Sequence, residues 1–298
     1  MPKDRVEMMH KMIKKLAQIK IFTLLSLFLL AVFSYPLELS LKISGSLSYF
    51  NPEHINRNLH GREEFLKKLA FATESWSDAE GEVKDLHYGI SFEGEFLFSL
   101  SSRLSIGLGA GYIYAEATEE KTGITIERAE DTLFSVHPTK INAFPLNFCG
   151  YYFFPLRSQL KLYIRGGLGL LWAKYIERIG IWIRPENSFF QVNYQKATAQ
   201  GTSFFSGLGL SYEAYPDIHF FIEAEAKLAK ISKFQNKVQE GEETTLFFYE
   251  QYNPSLEFWQ AKNILHKEKP SGDDFREVEE VVVDLSGFSV KIGITIKF

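Results

Sequence analysis

The chain has 298 residues, of which 45% are hydrophobic, 15% aromatic and 23% charged, and its formal net charge is −4. Its mean hydropathy of −0.11 argues against a bundle of apolar membrane helices. The charge balance offers no basic face for nucleic acid, and Cys149 is the sole cysteine, which excludes an intramolecular disulfide and a paired-cysteine metal motif.

The amino-terminal segment has the layout of a secretory signal peptide. A basic stretch precedes an apolar run from Ile21 to Phe33, which at about 13 residues is shorter than the roughly 20 that a spanning helix needs. Small side chains at Val32 and Ser34 suit the −3 and −1 positions, so we predict a signal peptide over 1–34 and a mature chain over 35–298. Its loss would change the net charge from −4 to −8, because residues 1–34 carry six basic and two acidic side chains. An uncleaved anchor is the alternative.

Eight segments of the mature chain alternate apolar and non-apolar residues with the period of two that strands require. They cover residues 37–49, 86–100, 104–114, 140–154, 160–172, 202–212, 220–228 and 287–298. The fourth is the least regular, because Pro145 removes a backbone donor. The last is the most regular and ends on an aromatic residue, with one apolar face that includes Val290, Ile292, Ile294, Ile296 and Phe298.

The connections between these segments alternate in length. Long connections at about 51–85, 116–139, 175–201 and 230–284 separate tight links near Arg103, 155–159 and 215–218. Transmembrane barrels show this asymmetry, with short periplasmic turns and long external loops. An even strand number also places both chain ends on the periplasmic side. The sequence therefore predicts an all-β fold, an eight-stranded antiparallel up-and-down transmembrane β-barrel with long external loops.

Aromatic residues gather at both predicted rims of the barrel, as they do at membrane interfaces. The outer set is Tyr49, Tyr112, Tyr114 and Trp172, and the inner set is Phe98, Tyr152, Phe154, Tyr212, Phe220 and Phe298. A soluble lipocalin-like barrel is the alternative, but that fold hides its apolar side chains inside. Here acidic and basic residues lie opposite the continuous apolar face.

The chain resembles small eight-stranded bacterial outer-membrane β-barrels of the OmpA-transmembrane or OmpX type, a porin family. Three motifs carry the resemblance: the glycine-rich fifth strand (Tyr163 to Gly169), the sixth (Gly207 to Tyr212) and the terminal strand ending at Phe298. The resemblance implies residence in the outer membrane of a Gram-negative-type bacterium, among outer-membrane lipids. It also implies that the barrel-assembly machinery reads the last strand as a signal (Val290, Ile292, Ile294, Ile296 and Phe298). Members serve as anchors, adhesins, enzymes and small-solute carriers.

Charges of both signs occupy inward positions of the predicted strands. They are Lys42, Glu93, Glu95, Lys161, Arg165, Glu223, Glu225, Lys227 and Lys291. Such groups are costly to bury alone, so we expect a structural ion-pair network, with a gated ion path as the alternative. Inward apolar residues near the periplasmic ends predict a floor that closes the lumen: Leu97, Tyr151, Phe153, Tyr163 and Phe221.

The sequence offers no catalytic constellation of the barrel enzymes, so we predict no enzyme, no cofactor and no metal site. Two loop segments look helical: 62–76, with apolar residues near helical spacing, and the segment after Asn253 and Pro254, which resemble a helix N-cap and first position. We expect a monomer without nucleic-acid partners that acts as a surface scaffold or adhesion module. Its external loops would bind an unknown ligand, and the alternative is a narrow pore for ions or a small solute.

Overall fold

The computed structural model describes residues 38–72, 76–128, 132–184, 188–237 and 243–298. The predicted signal peptide and its cleavage site after Ser34 lie outside these residues. Within the described part, no helix has the length and apolar character to cross a bilayer.

The described chain consists mainly of antiparallel strands. In chain order the elements are β1 (Glu38–Phe50), α1 (Glu53–Ala72), β2 (Trp76–Glu80), β3 (Tyr88–Ser99), β4 (Leu104–Ala117), α2 (Glu119–Thr122), β5 (Ile124–Arg128), β6 (Thr132–Val136), β7 (Thr139–Pro155), β8 (Leu160–Arg184), β9 (Ser188–Tyr215), β10 (Ile218–Leu228), β11 (Lys230–Ile231), β12 (Gln235–Lys237), β13 (Glu243–Asn253), β14 (Phe258–His266), β15 (Phe275–Glu280), β16 (Val283–Asp284) and β17 (Gly287–Lys297).

Eight of these strands close into a ring. Antiparallel pairing runs through β1, β3, β4, β7, β8, β9, β10 and β17, and β17 pairs back onto β1. Closure removes the unpaired edges that an open sheet would expose. The eight predicted strands are therefore confirmed, and so is the predicted fold class.

The strand ends differ from the prediction on one side of the ring. β8 has 25 residues and β9 has 28, so their hairpin continues far past the predicted ends at 172 and 202. At about 3.3 Å per residue, 25 residues extend to roughly 80 Å, whereas a tilted crossing strand needs about 9–11 residues. The described residues of the segment 175–201, which was expected as an external loop, extend the two strands of this hairpin.

The two ends of the barrel differ. Short turns at 100–103, 156–159 and 216–217 lie at one end with the first and last described residues, and we call this the turn end. At the other end, the described residues of 51–87, 118–138 and 229–286 fold into one body, which we call the cap. Its strands continue the sheet from the β8–β9 hairpin: β6, β5 and β2 follow β8, and β12, β13 and β14 follow β9.

A single apolar core holds the cap together and continues into the barrel. It joins Ile55 and Leu59 of α1, Leu246 and Phe248 of β13, and Val281. Inward residues of four barrel strands belong to the same core: Ile113, Ile141, Leu171 and Ala199. The cap is thus packed onto the barrel mouth by buried apolar surface, which contributes roughly 25 cal/mol per Å² removed from water.

One helix prediction is confirmed in type and the other is wrong. Residues 62–72 of the predicted amphipathic segment 62–76 form the second half of α1, which begins earlier, at Glu53, whereas Trp76 belongs to β2. After Asn253 the chain makes a turn and returns as β14, paired with β13 along its length. The Asn253 carboxamide oxygen accepts from the amides of Ser255 and Leu256, at 3.1 and 3.2 Å. An asparagine side chain satisfies a tight turn in the same way as a helix N-terminus, which explains the error.

The outer wall of the barrel is apolar. Large exposed hydrophobic side chains project from all eight ring strands, among them Ile43, Phe92, Leu108, Phe148, Ile164, Leu208, Ile222 and Ile292. Monomeric soluble proteins rarely expose continuous apolar surfaces of this kind. The predicted outer-rim residues Tyr49, Tyr112 and Trp172 are exposed on this wall, as are Tyr212 and Phe298 at the turn end.

Candidate functional site: the lumen and the cap

The middle of the lumen contains an ion-pair cluster of four carboxylates and four cations. The period of two directs Glu93 and Glu95 inward from β3, Arg165 from β8, and Glu223 and Glu225 from β10, while Lys42, Lys227 and Lys291 project from β1, β10 and β17. Small residues on facing positions make room for them, because a Cβ on Gly107 would collide with the Glu95 carboxylate.

Arg165 lies at the centre of this cluster. Its guanidinium contacts Glu93 at 3.0 Å, Glu95 at 3.4 Å, Glu223 at 3.1 Å and Glu225 at 3.7 Å. The residue is 3% exposed. One planar cation with five donors therefore joins carboxylates from two strands across the lumen, a role that a lysine cannot fill.

The lysines complete the charge balance around the same carboxylates. Lys42 Nζ lies 2.7 Å from Glu223, and Lys291 Nζ lies 2.8 Å from Glu93 and 2.7 Å from Glu225. Lys227 approaches Glu225 at 3.4 Å. The cluster contains equal numbers of opposite charges, and the free energy of burying these paired groups is far lower than that of burying an unpaired charge.

Eight of the nine charged residues predicted to face the lumen thus lie in one cluster. Lys161 is the exception: it faces inward but sits near the turn end, beside a cavity described below. Asn147 donates to Glu93 at 2.8 Å, and Tyr151 donates to Glu95 at 2.9 Å. Uncharged inward positions therefore also carry hydrogen bonds to the cluster.

An aromatic layer lies next to the cluster on the turn side. The buried residues Leu97, Tyr151, Tyr163, Phe205 and Phe221 pack together with Cys149, and Phe153 packs against them. Lys42 connects the two layers, because its Nζ pairs with Glu223 and also lies 4.2 Å from the centroid of the Phe221 ring, within the range of a cation–π contact. The predicted floor residues all lie in this layer.

On the cap side, α1 is tied to the lumen wall by a second polar group. Glu177 on β8 faces inward and accepts from Asn58 at 2.9 Å and pairs with Arg62 at 2.9 Å. Gln195 on β9 donates to the same carboxylate at 3.3 Å.

Burial, with the nearby Arg62 charge, lowers the pKa of His137 to about 3, so its imidazole is neutral in the folded cap.

Ion pairs on the cap surface attach α1 to the last connection. Arg57 lies 2.7 Å from Glu250 and 2.6 Å from Glu277. Hydrogen bonding to Arg57 lowers the pKa of Glu277.

The His60–Asp85 contact connects α1 to the segment that precedes β3. His60 contacts Asp85 at 2.7 Å and Glu63 at 3.2 Å. Burial lowers the pKa of His60, but the hydrogen bonds to Asp85 and Glu63 outweigh it and raise the pKa above its usual value.

A cavity of about 420 Å³ occupies the lumen at the turn end. Its wall includes His219, a residue that the sequence prediction missed because the seventh strand was begun at Phe220. β10 begins at Ile218. The alternation in the sequence could have identified His219, because it lies on the same face of the strand as the inward residues Phe221, Glu223 and Glu225. The ion-pair cluster and the aromatic layer separate this cavity from the cap.

The terminal strand presents its apolar face outward. Val290, Ile292 and Phe298 are exposed and Ile294 and Ile296 are partly exposed. β17 pairs with β1 on one side and with β10 on the other. The strand predicted to carry the assembly signal is therefore the strand that closes the ring.

Comparisons with known proteins give structural similarity but no sequence relatives. No protein-family model matches the sequence, and a search of curated proteins found no match. Neisserial surface protein A aligns over 87% of this chain and 97% of its own, at 10% identity and a TM-score of 0.36. Ail, the attachment invasion locus protein of Yersinia pestis, aligns over 89% and 100%, at 11% identity and 0.36. The outer-membrane protease OmpT of Escherichia coli aligns over 88% and 96%, at 9% identity and 0.29.

The strand pairing defines the architecture of the barrel. The ring has an even number of antiparallel strands, short turns at one end, long connections at the other, and an apolar outer wall with aromatic rims. These are the features of outer-membrane-type barrels. The chain is a small eight-stranded transmembrane β-barrel whose long connections form a packed cap.

Proposed function

We propose that this protein is a bacterial outer-membrane surface protein that presents its cap as a recognition surface and conducts no solute. The observation that carries the proposal is the obstruction of the lumen at three successive levels. The aromatic layer, the ion-pair cluster and the apolar core under α1 each fill the cross-section with buried side chains. An eight-stranded barrel has an interior only wide enough for side chains, so little room remains for a path.

The orientation follows from the two ends of the barrel. Short turns face the periplasm and long connections face the exterior in barrels of this type. The predicted export signal over 1–34 and the outward apolar face of β17 agree with that placement, in which the barrel-assembly machinery would read Val290 to Phe298. The cap then lies outside the cell, on a rigid scaffold of the kind that carries binding loops in other proteins.

The cap offers a partner an acidic surface. The last connection, 229–286, contains twelve Asp and Glu against seven Lys and Arg, and Glu277, Glu279 and Glu280 of β15 are exposed. A ligand that uses this face would carry complementary basic groups, and its association would weaken as salt screens the attraction. We propose no catalytic role for the protein, no cofactor and a monomeric state.

Two measurements test the proposal. Refolded residues 35–298 in planar bilayers should show no discrete conductance steps, whereas steady ohmic steps would establish the alternative of a narrow pore. For orientation, Ser271→Cys in the cap and Ser158→Cys at the turn end place single exposed thiols on opposite sides, because Cys149 is buried. A membrane-impermeant maleimide should label only the Ser271→Cys variant on intact cells, and labelling of Ser158→Cys alone would reverse the orientation.

A further inference from the structure

The cavity at the turn end is built by the whole barrel. Each of the eight ring strands contributes lining residues to it. Its volume of about 420 Å³ falls within the roughly 300–1,000 Å³ of small-molecule sites. The obstructions described above close it on the cap side, so it is a pocket and belongs to no continuous path.

The pocket has an apolar floor and a polar rim. Leu97, Phe153 and Phe221 form the floor, together with the rings of two tyrosines. Lys161 and Lys297 stand at the rim among the hydroxyl groups of several serines. This separation of apolar and polar walls fits a ligand that has an apolar part and a polar part.

The rim has an excess of positive charge without internal partners. Among the described residues, neither Lys161 nor Lys297 forms an ion pair, in contrast to Lys42, which is held by Glu223 deeper inside. Glu38 is the one acidic residue in the described wall. His219 adds a polar group: it is 4% exposed, and its Nε2 has no hydrogen-bond partner among the described residues.

We propose that this pocket binds a single-tailed amphiphile with one anionic head group, a carboxylate or a phosphate monoester, from the periplasmic side. The head group accepts hydrogen bonds from Lys161 and Lys297 at the rim. The alkyl tail lies on Leu97, Phe153 and Phe221 and is removed from water. An inorganic anion would leave the apolar floor unused, and a cationic amphiphile would meet two like charges.

The test uses residues 35–298 in lipid nanodiscs and isothermal titration with octanoate and, separately, octyl phosphate. Empty nanodiscs correct for partition of the tail into lipid, and octyltrimethylammonium is the charge-reversed probe. The informative variant is Lys161→Gln/Lys297→Gln. Its matched control is Lys174→Gln/Lys196→Gln, which removes two lysines of the β8–β9 hairpin outside the pocket.

Saturable binding of one octanoate or one octyl phosphate per chain is expected, and the tighter of the two identifies the head group. The double variant should bind at least about tenfold more weakly, since hydrogen bonds to charged groups are among the strongest, while the control binds as the wild type does. Binding of neither anion would overturn the proposal. Unchanged affinity in Lys161→Gln/Lys297→Gln, or equal affinity for octyltrimethylammonium, would also overturn it. These outcomes are independent of bilayer conductance and of cap orientation.

Discussion

Replacing Arg165 with methionine tests whether the lumen cluster stabilises the barrel. The substitution keeps an unbranched side chain but removes the cation that lies within 3.0 to 3.7 Å of four carboxylates. Lysines still balance three of them, but Glu95 has no other ion pair among the described residues and keeps only hydrogen bonds from Tyr151 and Cys149. Removing one partner of a buried ion pair costs about 3–5 kcal/mol, and we expect a loss of that size.

Urea unfolding of the refolded protein measures this effect, under conditions where the folding and unfolding curves coincide. Arg276→Met is the control, because Arg276 pairs with Glu250 on the cap surface and is half-exposed, where a pair contributes about 0–1 kcal/mol. The double variant Arg165→Met/Glu95→Gln should recover part of the loss, since it removes the carboxylate left without a cation. If Arg165→Met unfolds within about 1 kcal/mol of the wild type, the cluster does not hold the barrel together as the distances imply.

Three further predictions concern the cap. Leu59→Ala should lower the stability of the cap by about 2–5 kcal/mol, because Leu59 is fully buried. Limited proteolysis should cleave the cap of this variant faster than that of the wild type. Phe71→Ala is the control and should be cleaved like the wild type, because the Phe71 ring is 80% exposed. Gly61→Ala should weaken the packing of α1 on β14 although alanine favours helices, because the added Cβ would lie 2.6 Å from the backbone of β14. Gly94→Ala is the control and should fold normally, because the space around Gly94 is open. Hydrogen bonds to two carboxylates raise the pKa of His60 despite its burial, so this stabilisation is complete below pH 6.5 and disappears as the pH rises through the higher folded pKa. Screening keeps it below about 1 kcal/mol, and amide exchange in α1 should show this pH dependence in wild type but not in His60→Gln.

The barrel could be predicted from sequence because each ring strand follows a local rule. The outward positions of each ring strand are predominantly apolar, and this alternation persists in every strand, so even the irregular strand around Pro145 falls on the correct segment. The rule gives the face of a residue but not its depth. Lys161 faces the lumen like the other eight charged residues but lies near the turn end, away from their cluster, because depth depends on how neighbouring strands are staggered.

The cap could not be predicted in the same way, because distant segments stabilise it. Asn58 of α1 accepts from the amide of Asn263 in β14 at 2.9 Å, across 205 residues of sequence. β13 and β14 carry buried residues on both faces, so they lack the clean alternation of the ring strands. Asn253 and Pro254 are equally compatible with the start of a helix and with a turn. Only the pairing of β13 with β14 shows that they form a turn.

The three obstructed levels of the lumen are stabilised by different interactions, so a transport role would require a separate change at each level. The aromatic layer and the cap core exclude water by apolar packing, whereas the cluster between them is held by ion pairs. An ion crossing the lumen would have to displace α1, separate Arg165 from its carboxylates and part the rings of Tyr151 and Phe221. A change that opens one level leaves the other two in place. We therefore propose that the lumen serves as structural support for the cap. The pocket at the turn end lies outside this barrier, so that the proposed ligand would bind without opening it.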